Sequence, residues 1–483
     1  MSVLEKIFTA VKEDPGRTAF MSVSGTLTYE ELWEKSGKLA SYIDEAAVEN
    51  RDPVVVYGHK SPYMPVCFLA CVRSGRAYCP VDVSMPEERI RDIATETGSP
   101  LILAAEQMPY EAEGMITPEK MDGIIGTYPE ISPDKAVSGD EVFYIIFTSG
   151  STGRPKGVQI TEKNLDSFVS WSADLFGGPG VFMNQAPYSF DLSVMDTYTA
   201  LTSGGTVASL DKALLQDMNH AFGFIRDSGV EYFVSTPSFA NLLLADRQFS
   251  SEGFPKISRF VFCGEKLTKE TAAKLFERFP DAKVINTYGP TEATVAVSST
   301  EVTAQMLEDD RTIPVGRPKP GTDIYVDNDE LIIAGDSVSP GYYMDEVKTA
   351  KAFFTAPDSR RCYRTGDSGQ YDDGMLYFSG RLDSQIKMNG YRIELEDIEN
   401  NLLKLDGVGA AAVMPRYDGE TIKSLTAFVS PRDSGAEPEG RKLRKALREK
   451  LPSYMIPKKI KVLDMLPVNS NGKINRKKLE ELL

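Results

Sequence analysis

Histidine is almost absent from this 483-residue chain, with His59 and His220 its only two. Ser-His-Asp triads and multi-histidine metal centres are left with few candidates. His59 follows the strand-like run Val54 to Tyr57, and His220 lies among Gln216, Asp217 and Asn219, so both read as structural. Chemistry has to rest on Lys, Asp and Glu, with electrostatic stabilisation ahead of histidine acid–base catalysis. Cysteine is also sparse. Cys67, Cys71, Cys79, Cys263 and Cys362 are odd in number, and no pair has the Cys-x-x-Cys spacing of a metal or redox site. They read as reduced thiols in a cytoplasmic protein. Long apolar runs are missing: Pro65 to Val72 and Val142 to Phe147 fall far short of the roughly 20 residues that cross a bilayer. Met1 to Phe20 mixes basic and acidic residues without an apolar core, so neither membrane insertion nor a secretory signal is expected. Positive charge is in deficit overall, and a formal net charge of −16 disfavours a nucleic-acid partner. The exception is Arg441 to Leu483, where 13 Lys and Arg stand against 4 Asp and Glu. Such a tail is ordinarily a solvated helix face, and it also suits an acidic partner.

What is present is a phosphate-binding composition. The run Thr148, Ser149, Gly150, Ser151, Thr152, Gly153, Arg154, Pro155, Lys156, Gly157 follows a buried-strand pattern and leads into a second short strand, Val158 to Ile160. Its four hydroxyls are donors, its three glycines let backbone N–H groups approach an anion, and Lys156 adds a positive charge. A Walker A loop is excluded, because Arg154 and Pro155 separate Gly153 from Lys156 and glycine follows the lysine.

Strand-like runs alternate with helical patterns through most of the first 300 residues, which argues for an α/β architecture with largely parallel sheets. Thr161 is placed to cap a helix whose apolar positions Leu165, Phe168, Val169, Leu175 and Phe176 follow three-four spacing. Phe233 to Ser235 and Arg259 to Phe262 read as strands, so Cys263 and the run Asn286 to Glu292 fall at strand ends, where α/β sheets bind ligands. Between Ile313 and Phe378 the texture becomes β-rich. The last hundred residues return to mixed α/β character, with helices at Glu394 to Leu405 and Gly440 to Lys450 and strands at Ala410 to Met414 and Leu425 to Val429. The polar turn Gly380 to Ser384 is the best boundary, giving domains 1–382 and 383–483 with Asp383 as hinge.

Three further segments carry chemistry. Asn286, Thr287, Tyr288, Gly289, Pro290, Thr291 and Glu292 combine an amide for a base edge, a ring for its face and a carboxylate for a hard cation such as Mg²⁺. In Tyr363 to Asp367 a carboxylate follows a glycine turn and suits the two ribose hydroxyls, with Arg381 reaching ribose or phosphate. Lys473 follows the turn-forming pair Asn471-Gly472. As a general base it needs a strongly lowered pKa, whereas as a cation facing transferring phosphoryl oxygens it needs only position, and the second role is preferred.

Taken in order, these segments resemble the core motifs of the adenylate-forming superfamily, joined by Phe190-Asp191-Leu192-Ser193 and the runs Gly380 to Asp383, Gln385 to Glu399 and Asn471 to Arg476. The resemblance implies an α/β fold: a large N-terminal domain of two α/β subdomains plus a distorted β-barrel, and a small mobile α+β C-terminal domain. It implies that ATP and a carboxylate give an acyl-adenylate and pyrophosphate, and that a thiol then takes the acyl group. Thr148, Ser149, Gly150, Ser151, Thr152 and Lys156 would hold the phosphates. Asn286, Thr287, Tyr288, Gly289, Thr291, Asp367 and Arg381 would hold the rest of ATP, Glu292 would hold Mg²⁺, and Lys473 would bridge carboxylate and α-phosphate. Lys387, Gly390 and Tyr391 would line the thioester step.

Phe190-Asp191 resembles the amino-acid-activating branch, in which the aspartate pairs with the substrate ammonium, a pairing that a fatty or aryl acid lacks. Asp191, Met195, Cys263, Thr287, Val295 and, for the carboxylate, Lys473 are the pocket positions so implied, and they favour a methyl-sized side chain. The string Asn184 to Asp196, with Phe262 to Glu265, is similar to the free-standing members that load D-alanine onto a separate phosphopantetheinylated acyl carrier protein for D-alanylation of lipoteichoic acid. The alternative is a stand-alone peptide-synthetase-type adenylation protein for another small amino acid. Asn389 and Glu396 depart from the Arg and Gly that many relatives carry there, both near the thioester-step loop.

Overall fold

The computed structural model describes residues 1–47, 51–150, 155–432, 438–468 and 474–483. Ser151, Thr152 and Lys473 lie outside the described residues. The chain divides into two compact units: residues 1–83, 96–146 and 157–382 form one, and residues 84–95, 147–156 and 383–483 the other.

The first unit is built on two sheets. In the nine-stranded sheet, Val181–Asn184 and Thr206–Ser209 run parallel to each other, as do Tyr232–Ser235, Arg259–Phe262 and Lys283–Tyr288, and Ser298–Glu301 adds antiparallel to the last. The seven-stranded sheet centres on Val54–Tyr57, Tyr78–Val81 and Ile102–Ala104, all parallel, with Val142–Thr148 and Lys156–Thr161 towards one edge. Strands covered by helices on both faces are apolar throughout rather than alternating; Val54–Tyr57 shows that pattern, and Arg259–Phe262 shows it after its half-buried first residue. Thr161 caps the helix Glu162–Phe176 with a reciprocal capping box to Asn164. The β-rich stretch is a four-stranded antiparallel sheet, Thr322–Asp327, Glu330–Gly335, Phe353–Thr355 and Arg361–Arg364, together with the ribbon Asp367–Asp372 and Met375–Arg381.

Aromatic packing stiffens the nine-stranded sheet. Phe249 is fully buried, with its ring centroid 5.0–6.2 Å from those of Phe222, Phe233, Phe254, Phe260 and Phe279. Offset and edge-on contacts of this kind add to the area that the rings remove from water.

The second unit pairs the hairpin Gln385–Met388 and Tyr391–Glu394 with a three-stranded sheet of Val408–Asp418, Thr421–Pro431 and Lys459–Val462. The helix Leu395–Leu403 and the helix Gly440–Lys450 bury Ile398, Leu402, Leu443 and Leu447 in its core. Within this unit Arg89 approaches Asp397 at 3.6 Å and Lys450 approaches Glu88 at 3.2 Å, the charge pairs that join segment 84–95 to the C-terminal part. Among the described residues no helix is long and apolar enough to cross a membrane.

Phe249→Ala deletes the hub of the aromatic cluster, and it is expected to cost about 3–5 kcal/mol, read as a lower urea midpoint for the first unit's transition.

Candidate active site

Tyr288, Asp367 and Arg381, far apart in sequence, meet at one carboxylate. The Tyr288 hydroxyl donates to Asp367 Oδ2 at 2.6 Å, and Arg381 Nη1 approaches Asp367 Oδ1 at 2.7 Å. Asp367 is 2% exposed, so these donors offset the loss of hydration that an isolated buried carboxylate would suffer. Burial first, and the Asp367 charge second, hold the Tyr288 hydroxyl well above the ordinary tyrosine range, so it stays a donor. Local structure sets up the meeting. Gly366 has φ +69°, the Thr365 hydroxyl accepts the Asp367 N–H at 2.9 Å, and the strand Asp367–Asp372 begins there. A carboxylate offers about four lone-pair sites, so an oxygen with one donor retains capacity for ribose hydroxyls. Gly289 sits beside this cluster in sequence, and a Cβ on it would come within 2.5 Å of Ala296 Cα, so only glycine allows the close approach.

The other members of that motif face elsewhere. Asn286 donates its amide N–H to the Pro314 carbonyl at 2.9 Å, and Thr287 donates its hydroxyl to the Phe262 carbonyl at 2.8 Å. Thr291 is buried at the start of a short 3-10 turn, Thr291–Ala293. Glu292 is fully buried, and Tyr342 donates its hydroxyl to Oε1 at 2.9 Å. Among the described residues no three His, Cys, Asp or Glu side chains cluster as a metal site. A lone oriented carboxylate still fits Mg²⁺, which is commonly held by one or two carboxylates plus substrate phosphates.

Asp191 heads the helix Leu192–Ser203, half-buried, and makes no capping bond to it. Its charge reaches Tyr144, whose hydroxyl is pushed well above the ordinary range chiefly by burial and then by Asp191. That hydroxyl is buried and finds no hydrogen-bond partner among the described residues. One turn along the helix, Met195 belongs to the same buried apolar cluster as Cys263 and Val295. The Cys263 thiol points to the Val295 carbonyl at 3.6 Å. Thr294 and Val295 have φ +59° and +68°, left-handed values that β-branched residues rarely adopt, and the Thr294 hydroxyl anchors the turn to the Ser337 carbonyl at 2.8 Å. The structure thus sets Cys263 beside Val295 and buries Met195 in the same apolar core.

In the second unit the described part of the glycine-rich loop is held by the chain. Ser149 donates its hydroxyl to the Arg392 carbonyl at 3.1 Å and accepts the Glu394 N–H at 3.2 Å. Thr148 Oγ1 is buried without a partner among the described residues, and burial pushes the Asp397 carboxyl up against the pull of Arg89, Lys404, Asn401 and the Gly150 N–H. Lys156 opens the strand Lys156–Thr161. Lys387, Gly390 and Tyr391 lie on the hairpin Gln385–Glu394, whose turn residues Asn389 and Gly390 have φ +53° and +82°, a two-residue primed turn. Asparagine tolerates that region, so the departure at Asn389 suits the turn. Tyr391 stacks on Tyr454 with centroids 3.8 Å apart. Asp383 accepts the Gln385 N–H at 3.1 Å.

Sequence reasoning missed a buried polar group in the strand-to-helix segment that carries Asp191. Lys60, 1% exposed, donates to Asn184 Oδ1 at 2.5 Å and to the Ala186 carbonyl at 2.7 Å, and Asn184 Nδ2 donates to Asp196 Oδ1 at 2.7 Å. The legible signal was Asp196 on the buried side of an apolar helix, which demands a partner.

Comparison with known proteins extends these findings. The AMP-binding enzyme family matches residues 7–343, and the AMP-binding enzyme C-terminal domain family matches residues 397–473. A D-alanine--D-alanyl carrier protein ligase of Bacillus licheniformis is 44% identical, covering 100% of this chain and 99% of that protein. One of Bacillus cereus is 42% identical over 99% of each. Among solved structures, an NRPS protein containing adenylation and PCP domains, bound to a vinylsulfonamide inhibitor, has TM-score 0.84 and 25% identity over 100% of this chain and 84% of that one. The Vibrio cholerae adenylation domain AlmE, in complex with glycyl-adenosine-5′-phosphate, has TM-score 0.84 at 22% identity, covering 99% and 97%, a likeness of fold alone.

Asp367→Asn weakens a charge-assisted cluster worth about 1.5–3 kcal/mol per bond. Binding of adenosine nucleotides is expected to fall at least about tenfold by titration calorimetry, with amino-acid affinity unchanged.

Proposed function

The chain belongs to the AMP-binding enzyme family, and on that premise we propose that it activates D-alanine with ATP and passes the D-alanyl group to the phosphopantetheine thiol of a separate carrier protein. The observation that carries the substrate is the carboxylate of Asp191 at the head of the helix that buries Met195 one turn on, which we read together with Cys263 and its neighbour Val295 as a small apolar wall. The carboxylate takes the α-ammonium, and the wall leaves room for a methyl group. Relatives of the same name over the whole length support the same substrate and acceptor. The acyl group then serves D-alanylation of lipoteichoic acid. The reaction is cytoplasmic, where ATP is available and the five cysteines stay reduced.

In the first half-reaction a D-alanine carboxylate oxygen bonds to the α-phosphorus while the bond to the bridging oxygen breaks, and pyrophosphate leaves with that electron pair. Asp191 fixes one end of the amino acid and Asp367, with Arg381 and Tyr288, the ribose, so the two reactants meet in line. Thr148, Ser149, Gly150, Ser151, Thr152 and Lys156 carry the phosphates. Lys473 would bridge the carboxylate and α-phosphate, its charge stabilising the crowded oxygens. Glu292 would hold Mg²⁺, which neutralises phosphate charge. In the second half-reaction the thiol sulfur bonds to the acyl carbon, AMP departs and the thiol proton is lost. Movement about Asp383 exchanges Lys473 for the loop carrying Lys387, Gly390 and Tyr391.

ATP–pyrophosphate exchange with D-alanine, L-alanine and glycine separates this reading from an adenylation protein for another small amino acid. D-Alanine is expected to give the highest kcat/KM, and a preference for either of the others overturns the assignment. Lys473→Ala is expected to abolish most exchange while sparing thioester formation from supplied D-alanyl-adenylate. Equal loss in both steps refutes the division of labour.

A further inference from the structure

Lys60 joins the two sheets of the first unit. It follows the strand Val54–Tyr57 of the seven-stranded sheet, yet its ammonium bonds to Asn184, the last residue of Val181–Asn184 in the nine-stranded sheet, and to Ala186 beyond it. The ammonium also lies 4.4 Å from the centre of the Tyr188 ring, in the segment leading to Asp191. Ser209 donates to the same Asn184 oxygen at 2.7 Å. Asn184 relays the contact to Asp196, which the Thr197 hydroxyl also approaches at 3.1 Å. Next to Lys60, His59 Nδ1 lies 2.6 Å from Asp82 Oδ2 and His59 Nε2 accepts the Lys212 N–H at 3.3 Å, a second tie across the same junction.

Well-packed apolar residues commonly replace a buried ion pair at no loss of stability, so a role in stability alone gives no reason for this charge. Its geometry gives one. Lys60 grips both ends of the loop that carries Asp191: the strand end before it and, through Asn184, the helix turn after it. That loop is closed by Phe190 N–H to the Pro187 carbonyl at 2.9 Å and by the Ser193 hydroxyl to the Phe190 carbonyl at 2.6 Å. A helix is stiff over the five steps from Asp191 to Asp196, about 7.5 Å of axis. Fixing the second therefore fixes the first.

We propose that Lys60 is a positioning residue for the amino-acid substrate, acting through Asn184, Ala186 and Asp196 to hold the direction in which Asp191 presents its carboxylate. The inference rests on the reading of Asp191 as the ammonium anchor. Three acidic groups act on Lys60, namely Asp196, Asp82 and Asp211, and burial outweighs them, bringing the ammonium down to about 8. Asp196 is pushed up to about 7, again by burial against the pull of Lys60.

The test is ATP–pyrophosphate exchange on the full chain carrying Lys60→Met, Lys60→Met with Asp196→Asn, or Asn184→Ala, alongside thermal melts. The double variant leaves no unpaired carboxylate, and Asn184→Ala leaves Lys60 its Ala186 and Tyr188 contacts while cutting the relay. Misplacement of a binding group is expected to raise KM for D-alanine about tenfold or more, with KM for ATP within about twofold, in every variant that folds. Unchanged KM for D-alanine in a folded variant overturns the proposal, as does an equal rise for both substrates. If the unsubstituted chain shows no D-alanine-dependent exchange, the functional reading fails instead, so the two failures are read on different proteins.

Discussion

Burying a carboxylate costs several kcal/mol unless donors replace its water, and that constraint organises the site. The first unit buries Asp367, Glu292 and Asp196, and each draws its donor from elsewhere in the chain: Tyr288 and Arg381 for the first, Tyr342 for the second, Asn184 with Lys60 behind it for the third. Each requirement pins segments that the backbone alone leaves apart. The ends of the parallel strands supply the ground on which they meet, because strand termini leave backbone groups and loops facing outward there.

The residues proposed for the amino-acid pocket follow a different rule. Met195, Cys263 and Val295 are buried and apolar, and Val295 sits with Thr294 in a strained turn. Left-handed φ at two consecutive β-branched positions persists only when the surroundings enforce it. Here the Thr294 bond to Ser337 and the Val297 N–H bond to the Tyr288 carbonyl do so, linking that turn to the Tyr288–Asp367 cluster. A small apolar pocket discriminates modestly on size, so the charge at Asp191 has to supply the preference for an amino acid over a plain acid.

Much of this was legible in the sequence where local physics decides. Arg259 to Phe262 and Gly440 to Lys450 fall where periodicity and turn residues put them, and Thr161 caps the helix ahead of the three-four apolar spacing as expected. The helix read as Glu394 to Leu405 spans Leu395–Leu403, since Glu394 belongs to the preceding strand. Long-range choices were not legible. No pattern in residues 84–95 or 147–156 announces their packing with residues 383–483, because that grouping depends on single contacts such as Arg89 to Asp397 and Ser149 to Arg392. Lys60 looked like any loop lysine. The commitment of the Asn286 amide to Pro314 likewise depends on where a distant loop falls.

The central claim is that one acidic side chain reads the substrate's ammonium group while a separate buried acid reads the ribose. The most direct measurement is calorimetric titration of a non-hydrolysable D-alanyl-adenylate mimic and of its propionyl counterpart, which lacks only the ammonium, into the chain and into Asp191→Asn. The account predicts that removing the ammonium weakens binding to the unsubstituted chain by about tenfold or more, and leaves binding to Asp191→Asn nearly unchanged. Equal losses in the two proteins would contradict it.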